Sequence, residues 1–301
     1  HPDKLTTTVL INKIENRLQE VKENKEAFLV QEDNNQLTLE NKGFKISFDK
    51  QNGEILYWKY DGFEVISDRK GSPHYNNNRW IENDKHGDSI SGELASTCEI
   101  KLNKEKTKAE IKITTKGEKC PYTIEYTVYS NNIVDMKVTM NPIVEGLRRL
   151  GLGMIFSKDF EEIDYYAKGP WENYNDRQEA SFVGRYSTTV SDMLTPYAHP
   201  QSCGNRQEMR EIFLYKKGST KGLKIEANQP IAFSMLHFDD KDFNKEKLHP
   251  WELNPREEVY AHFDFVQRGL GNGSCGPQTI EKYQVPSSGT YSFTLRFSPL
   301  R

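Results

Sequence analysis

This sequence contains no long apolar run. Its mean hydropathy is −0.80, and nowhere do the roughly 18–20 consecutive apolar residues of a membrane helix occur, which excludes a spanning helix. An excess of one charge is missing too: 41 Lys+Arg stand against 44 Asp+Glu, for a net charge of −3. With no surplus of cations to neutralise a phosphate backbone, nucleic acid is not an expected partner. Cysteine is scarce. Cys98, Cys120, Cys203 and Cys275 are scattered, without CxxC or any metal-type spacing, so neither a disulfide framework nor a zinc site is expected. They read as buried or idle thiols, compatible with a reducing or an oxidising compartment. His199, His237, His249 and His262 lie far apart and form no HExxH. His237 and His262 fall in strand patterns, where a structural histidine is the usual reading. A GxSxG elbow is absent as well, so no serine hydrolase, metal or cofactor is expected.

What the chain does have is aromatic residues and period-two patterning. Its 301 residues include 15 Tyr, 15 Phe and 4 Trp, enough for a sizeable core. Residues 5–27 have their own grammar. Leu10, Ile14, Leu18 and Val21 recur at helical spacing behind threonines at 6–8, predicting a short amphipathic helix or helical linker. The chain opens on His1 with no signal-peptide pattern, and we expect a piece of something longer. From about Gln36 the period becomes two. Leu37 and Leu39, then Phe44, Ile46 and Phe48, then Ile55, Tyr57 and Trp58 read as strands, with Asn52-Gly53 as a hairpin signal. Ala109, Ile111 and Ile113 alternate cleanly, as do Tyr122 to Val128 and Val134 to Met140. The pattern returns at Phe213, at Leu223 to Ala227, at Phe233 to Phe238 and at Tyr291 to Phe297. One wet and one dry face per strand is the habit of antiparallel sheets. No βαβ alternation appears, so the fold class is all-β, a large antiparallel sandwich with long loops. Residues 1–30 read as a linker or helical appendage and 31–301 as one domain.

Gly271, Gly273 and Gly276 fit GxGxxG, but Pro277 follows and residues 279–285 read as a strand. The pyrophosphate-binding helix that would give the motif meaning is therefore missing, and a glycine loop in close contact with a neighbour is the better reading. The densest polar and aromatic cluster runs from Tyr165 to Arg177. Aromatic faces stack on pyranose rings, and carboxylates and amides take sugar hydroxyls. The same residues would equally serve a packed loop, with Glu172, Asp176 and Arg177 buried, mutually bonded and organising it beneath Trp171 and Tyr174. A second cluster, Thr195 to Arg206, contains Tyr197, His199, Gln201, Asn205 and Arg206 between prolines and Gly204, the marks of an ordered loop.

In their order and spacing these clusters resemble the C-terminal domain of the large β-galactosidases of glycoside hydrolase family two. Gly169-Pro170 with Glu172-Asn173-Tyr174 and Asp176-Arg177 is similar to one family motif. Pro196-Tyr197, Pro200-Gln201 and Gly204-Asn205-Arg206 resemble the next, followed by His249 with Glu252-Leu253. A glycine-rich stretch from Gln267 to Ser274-Cys275-Gly276-Pro277 completes the series. Phe44 to Trp58 looks like the family's opening strands, and Arg79-Trp80 with Asn83-Asp84 like a variant of a following loop. The resemblance covers about residues 30–301.

It implies a galactose-mutarotase-like β-supersandwich that packs beside a catalytic TIM barrel and lends the 267–277 loop to the rim of a site for β-galactosides. Trp171, Glu172, Tyr174, Asp176, Arg177, His199, Asn205, Arg206, Gln267, Ser274 and Cys275 are the carbohydrate-facing or rim residues it implies. It implies no catalytic residue here: the family's acid/base Glu follows an Asn, and this chain has no Asn-Glu dipeptide. Retaining hydrolysis needs two carboxylates about 5–5.5 Å apart, and a barrel of about 250 residues does not fit beside the strands. The fragment alone is expected to be inactive. Cys275 stands where the family often has a stacking Trp, which removes an aromatic platform. Two other readings are a free-standing aldose mutarotase, with His199 and Glu172 or Glu208 as acid and base, and a carbohydrate-binding module using Trp171, Tyr174, Arg177 and Arg206.

Overall fold

A computed structural model describes residues 18–22, 24, 26–82, 96–244, 246–272 and 276–300. Most of the expected N-terminal helix lies outside these residues, and 18–22 carry no helical turn. The first sheet is a five-stranded antiparallel meander of β1 (Leu29–Glu32), β2 (Gln36–Asn41), β3 (Phe44–Asp49), β4 (Ile55–Tyr60) and β5 (Phe63–Ile66). Leu37 faces Phe48 and Leu39 faces Ile46 across β2 and β3, and all four are buried. On the other face the hydroxyls of Thr38 and Ser47 bond each other at 2.7 Å. Simple alternation would put Ile55 and Tyr57 on one face. A bulge after Ile55 shifts the register, so Ile55, Trp58 and Tyr60 point into the core instead. The turn before β4 runs through Asn52-Gly53, and Gly53, at φ 77°, takes a left-handed conformation that costs glycine no Cβ clash.

The second sheet has twelve strands. Its early members are β6 (His74–Tyr75), β7 (Ser96–Leu102), β8 (Lys108–Thr115), β9 (Tyr122–Tyr129), β10 (Val134–Met140) and β11 (Arg149–Phe156). Then come β12 (Phe160–Gly169), β13 (Phe182–Thr189) and β14 (Arg206–Lys216), followed by β15 (Gly222–Leu236), β16 (Val259–Gln267) and β17 (Tyr291–Leu300). The order is β13-β12-β14-β15-β17-β10-β9-β8-β7. The long strand β15 forks the sheet: residues 222–227 pair with β17 and 232–236 with β16. β16 then pairs with β11, and β11 with β6. Aromatic contacts join the two sheets, with ring centroids of Trp58 and Phe297 at 5.3 Å and of Phe48 and Tyr126 at 5.4 Å.

One local expectation fails, and one strand ends earlier than its pattern. Residues 279–285 form no strand: Thr279 spends its hydroxyl on the Gly269 carbonyl at 2.9 Å, Ile280 is exposed, and Glu281–Tyr283 make a 3₁₀ turn. His237 lies one residue beyond β15, held by Glu161 at 2.7 Å and by the Glu258 carbonyl at 3.0 Å.

Candidate functional site

β12 delivers the chain at Gly169 into a loop that opens with a cis Gly169–Pro170 peptide. Asn173, 1% exposed, organises it. Its side-chain amide donates to the carbonyls of Lys168 (3.2 Å) and Trp171 (2.9 Å), and its side-chain oxygen accepts from the Gln207 amide at 2.9 Å. The Asn173 amide donates to the Asn205 carbonyl at 2.9 Å, and Asn205 returns a side-chain bond to the Asn173 carbonyl at 2.7 Å. The two motif clusters are therefore stitched together through their asparagines. Tyr174 and Arg177 close a tight turn by reciprocal backbone bonds of 3.1 and 2.9 Å.

The charged residues of this loop do not bond one another, contrary to the expectation. Each reaches a different segment. Glu172 accepts from the Tyr197 hydroxyl and from the Gly204 amide at 2.8 Å. Asp176 accepts from the amides of Leu270 (3.0 Å) and Gly271 (2.8 Å). Arg177 donates to the Gly271 carbonyl and to Asn272 Oδ1 at 3.0 Å. Nor are they buried: Arg177 is exposed, and Glu172 and Asp176 are half-buried. A network closed within nine residues would have to fold the loop on itself. The short Tyr174–Arg177 turn instead points successive side chains outward at neighbours.

The main neighbour is the arm that continues β16. Arg79, 2% exposed, donates to Gln267 Oε1 at 3.3 Å, to the Arg268 carbonyl and to the Gly269 carbonyl at 3.4 Å. Asn175 donates to the Gln267 carbonyl at 2.8 Å. Two glycines are required for the fit. A Cβ on Gly269 would stand 2.6 Å from the Asp176 carboxyl, and one on Gly271, at φ +61°, would stand 2.6 Å from the Thr279 amide. The arm's backbone thus lies directly on the 169–177 loop. Ser274 and Cys275 lie outside the described residues, as do Asn83 and Asp84.

Between these segments lies a cleft of about 230 Å³, lined among others by Glu82, Tyr174, Arg177, Tyr197, Gln201 and Leu270. Of the residues implied by the family resemblance, Tyr174 and Arg177 line it. Trp171 does not; it is 72% exposed elsewhere on the loop. Asn205, Arg206 and Gln267, which the resemblance implies as carbohydrate-facing or rim residues, are 2%, 5% and 2% exposed in this chain. Arg206 bonds the Gly204 and Asn205 carbonyls at 3.2 and 3.3 Å. His199 does not meet Glu172 or Glu208: its Nδ1 lies 3.0 Å from Glu82 Oε2, while Glu208 pairs with Lys168 and Arg210 at 3.0 and 3.1 Å. Arg79 and Asn173 stand in the motifs that carry the resemblance but are not among the site residues it implies, and Glu82 is not singled out by the sequence. The polar run Asn76 to Arg79 before Trp80 was the available signal for Arg79.

The site's titratable groups are tuned by burial. Burial, and then the Glu172 charge, raises the hydroxyls of Tyr174 and Tyr197 above their ordinary value. Burial pushes the nearby Cys203 thiol up to about 12, so it stays protonated and inert. Behind the arm a buried ionic chain runs into the sheet. Gln267 donates to Asp264 at 3.2 Å, Arg149 pairs with Asp264 at 3.1 Å and reaches Asp240 at 3.8 Å, and His262 holds Asp240 at 2.8 Å. Burial would raise Asp240, but the charge and hydrogen bond of His262, with Arg149 and Asn76, outweigh it and hold the carboxyl below its ordinary value. Gly151 on β11 makes room for this chain, since a Cβ there would overlap the Asp264 carboxylate. Among the described lining residues the cleft offers one carboxylate, Glu82, with amide, phenol and guanidinium groups. That set can bind hydroxyls.

Comparison with known proteins identifies the family. A family model described as beta galactosidase small chain matches residues 40–297. The chain is 32% identical over 152 residues to a beta-galactosidase of Staphylococcus xylosus, covering 50% of this chain and 15% of that protein. It is 23% identical over 285 residues to one of Actinobacillus pleuropneumoniae, covering 91% of this chain and 27% of that protein. The chain thus spans about a quarter, or less, of the length of these relatives. A galactose mutarotase-like protein from Clostridium acetobutylicum has a similar fold, with a TM-score of 0.52 at 7% identity, covering 91% of this chain and 98% of that one.

Proposed function

Because the chain belongs to the beta galactosidase small-chain family, we propose that it is the accessory region of a retaining β-galactosidase. In this reading the catalytic carboxylates sit in a barrel elsewhere in the parent, and this region packs against that barrel. The arm beginning at Gln267 lies at the rim of the parent's site, and the Tyr174–Arg177 turn holds it there. One observation carries the reading: Asp176, Arg177, Asn175 and Arg79, all in motif loops, converge on the backbone of 267–272. So many polar bonds to one short arm make sense if its position against a partner surface matters. Its partner segments being already bonded, His199 is poorly placed for a mutarotase pair with Glu172.

Complementation in trans tests this. The isolated chain and the separately expressed remainder of its parent should each fail to hydrolyse a chromogenic β-galactoside, and mixing them should restore turnover. Turnover by this chain alone, surviving repurification and lost on a point substitution in it, would overturn the reading.

A further inference from the structure

A second depression, of about 960 Å³, lies where the five-stranded sheet meets the junction of β11 and β12, and it shares no lining residue with the cleft. We propose that this groove binds a neutral oligosaccharide. Its size is within the range of small-molecule sites, and its walls are fixed before any ligand arrives. Ser157 donates its hydroxyl to the Glu64 carbonyl at 2.8 Å and its amide to the Val65 carbonyl at 3.0 Å. The Glu64 amide donates to Asp159 Oδ2 at 3.2 Å, and Lys216 donates to the Gly62 carbonyl at 2.7 Å. A preformed groove spares the ligand the cost of ordering its site.

The lining chemistry selects the class. Lys45 pairs with Glu40 at 3.0 Å, Lys158 with Glu257 at 3.1 Å, and Arg256 with Asp242 at 2.7 Å. Three of the groove's five lining cations are therefore paired in place. A polyanion would meet Glu40, Glu64 and Glu257, a polycation would meet the lysines, and an apolar ligand would strip water from all of them. A neutral molecule rich in hydroxyls meets none of these penalties. Glu64 already accepts from two hydroxyls, Tyr57 at 3.3 Å and Ser67 at 2.7 Å, and a carboxylate has about four lone-pair sites, leaving acceptors for a sugar. Exposed Lys59 and Lys70 add donors, and the half-buried rings of Tyr57 and Tyr260, with Lys59 at 5.7 Å and Arg256 at 5.4 Å over them, bring aromatic surface beside those donors.

Calorimetric titration of this chain with neutral linear galacto-oligosaccharides, tri- to hexasaccharides, tests the proposal independently of any parent enzyme. Saturable binding in about the millimolar range or tighter is expected. It should weaken about tenfold in Tyr57→Ala, weaken in Glu64→Gln, and be unchanged in Lys137→Ala, an exposed residue of β10 that lines neither the groove nor the cleft. Should Tyr57→Ala fail to fold, the exposed pair Lys59→Ala with Lys70→Ala should show the same direction of loss. No saturable heat, loss of binding in Lys137→Ala alone, or tighter binding of a sulfated oligosaccharide would each overturn it.

Discussion

Gly269 and Asp176 offer a sharp test of how the arm is held. A methyl group at 269 would stand 2.6 Å from the Asp176 carboxyl, closer than real Cβ contacts come. The carboxylate cannot retreat freely, because both its oxygens are committed, to Leu270 at 3.0 Å and Gly271 at 2.8 Å. Gly269→Ala therefore forces the loss of both bonds. Hydrogen bonds to a charged group contribute about 1.5–3 kcal/mol each, and partial exposure of Asp176 lowers that, so about 2–4 kcal/mol is expected for the pair. Asp176→Ala removes the same bonds and should cost a similar amount. The double variant has no carboxylate to displace, so it should cost little more than either single one, a coupling of about 2 kcal/mol. Urea unfolding monitored by tryptophan fluorescence gives all three values. Additive losses would mean that the two residues do not share one interaction.

Other consequences are equally open to measurement. Burial holds the His74 imidazole below its ordinary 6.5, so the unfolded chain takes up that proton first and stability falls as pH drops below 6.5. In urea unfolding, His74→Gln should flatten the slope between pH 6.5 and 5; an unchanged slope refutes the assignment. Asp240, held below its ordinary 3.8, adds a second loss as pH falls beneath that value, and Asp240→Asn should remove it from an acid unfolding curve. Burial pushes the thiols of Cys120 and Cys203 up to about 12, so mass mapping after treatment with an aromatic disulfide reagent at pH 8 should find Cys98 modified before either. Early labelling of Cys203 would contradict its burial.

The sequence was legible where one face of a strand is wet. β8, β9, β10 and β17 alternate in the sequence and in burial alike. β11 gave no such signal because it is buried on both faces and carries Gly151 and Gly153, which admit the Asp264 and His74 side chains. Residues 279–285 misled because Ile, Tyr and Val suit a strand, yet no neighbour offers a ladder. In the site, the motif spacing located the loops that converge, since loop composition is local. The partners of Asp176 and Arg177 are about 95 residues away in sequence, and nothing in a nine-residue pattern encodes which distant backbone a carboxylate will meet. The burial of Asn205 and Arg206 was hidden for the same reason.

The claim that the clamped arm lies at the rim of a β-galactosidase site is tested most directly in the full-length parent carrying Asp176→Asn. That substitution keeps the side chain's size and one oxygen acceptor while weakening the hold on Leu270 and Gly271. The measurement is kcat/KM for a series of β-galactosides differing only in aglycone, with circular dichroism confirming the fold. The account predicts a loss of about three- to tenfold that varies with the aglycone, as expected for a displaced rim contact. A kcat/KM unchanged across the whole series would contradict it.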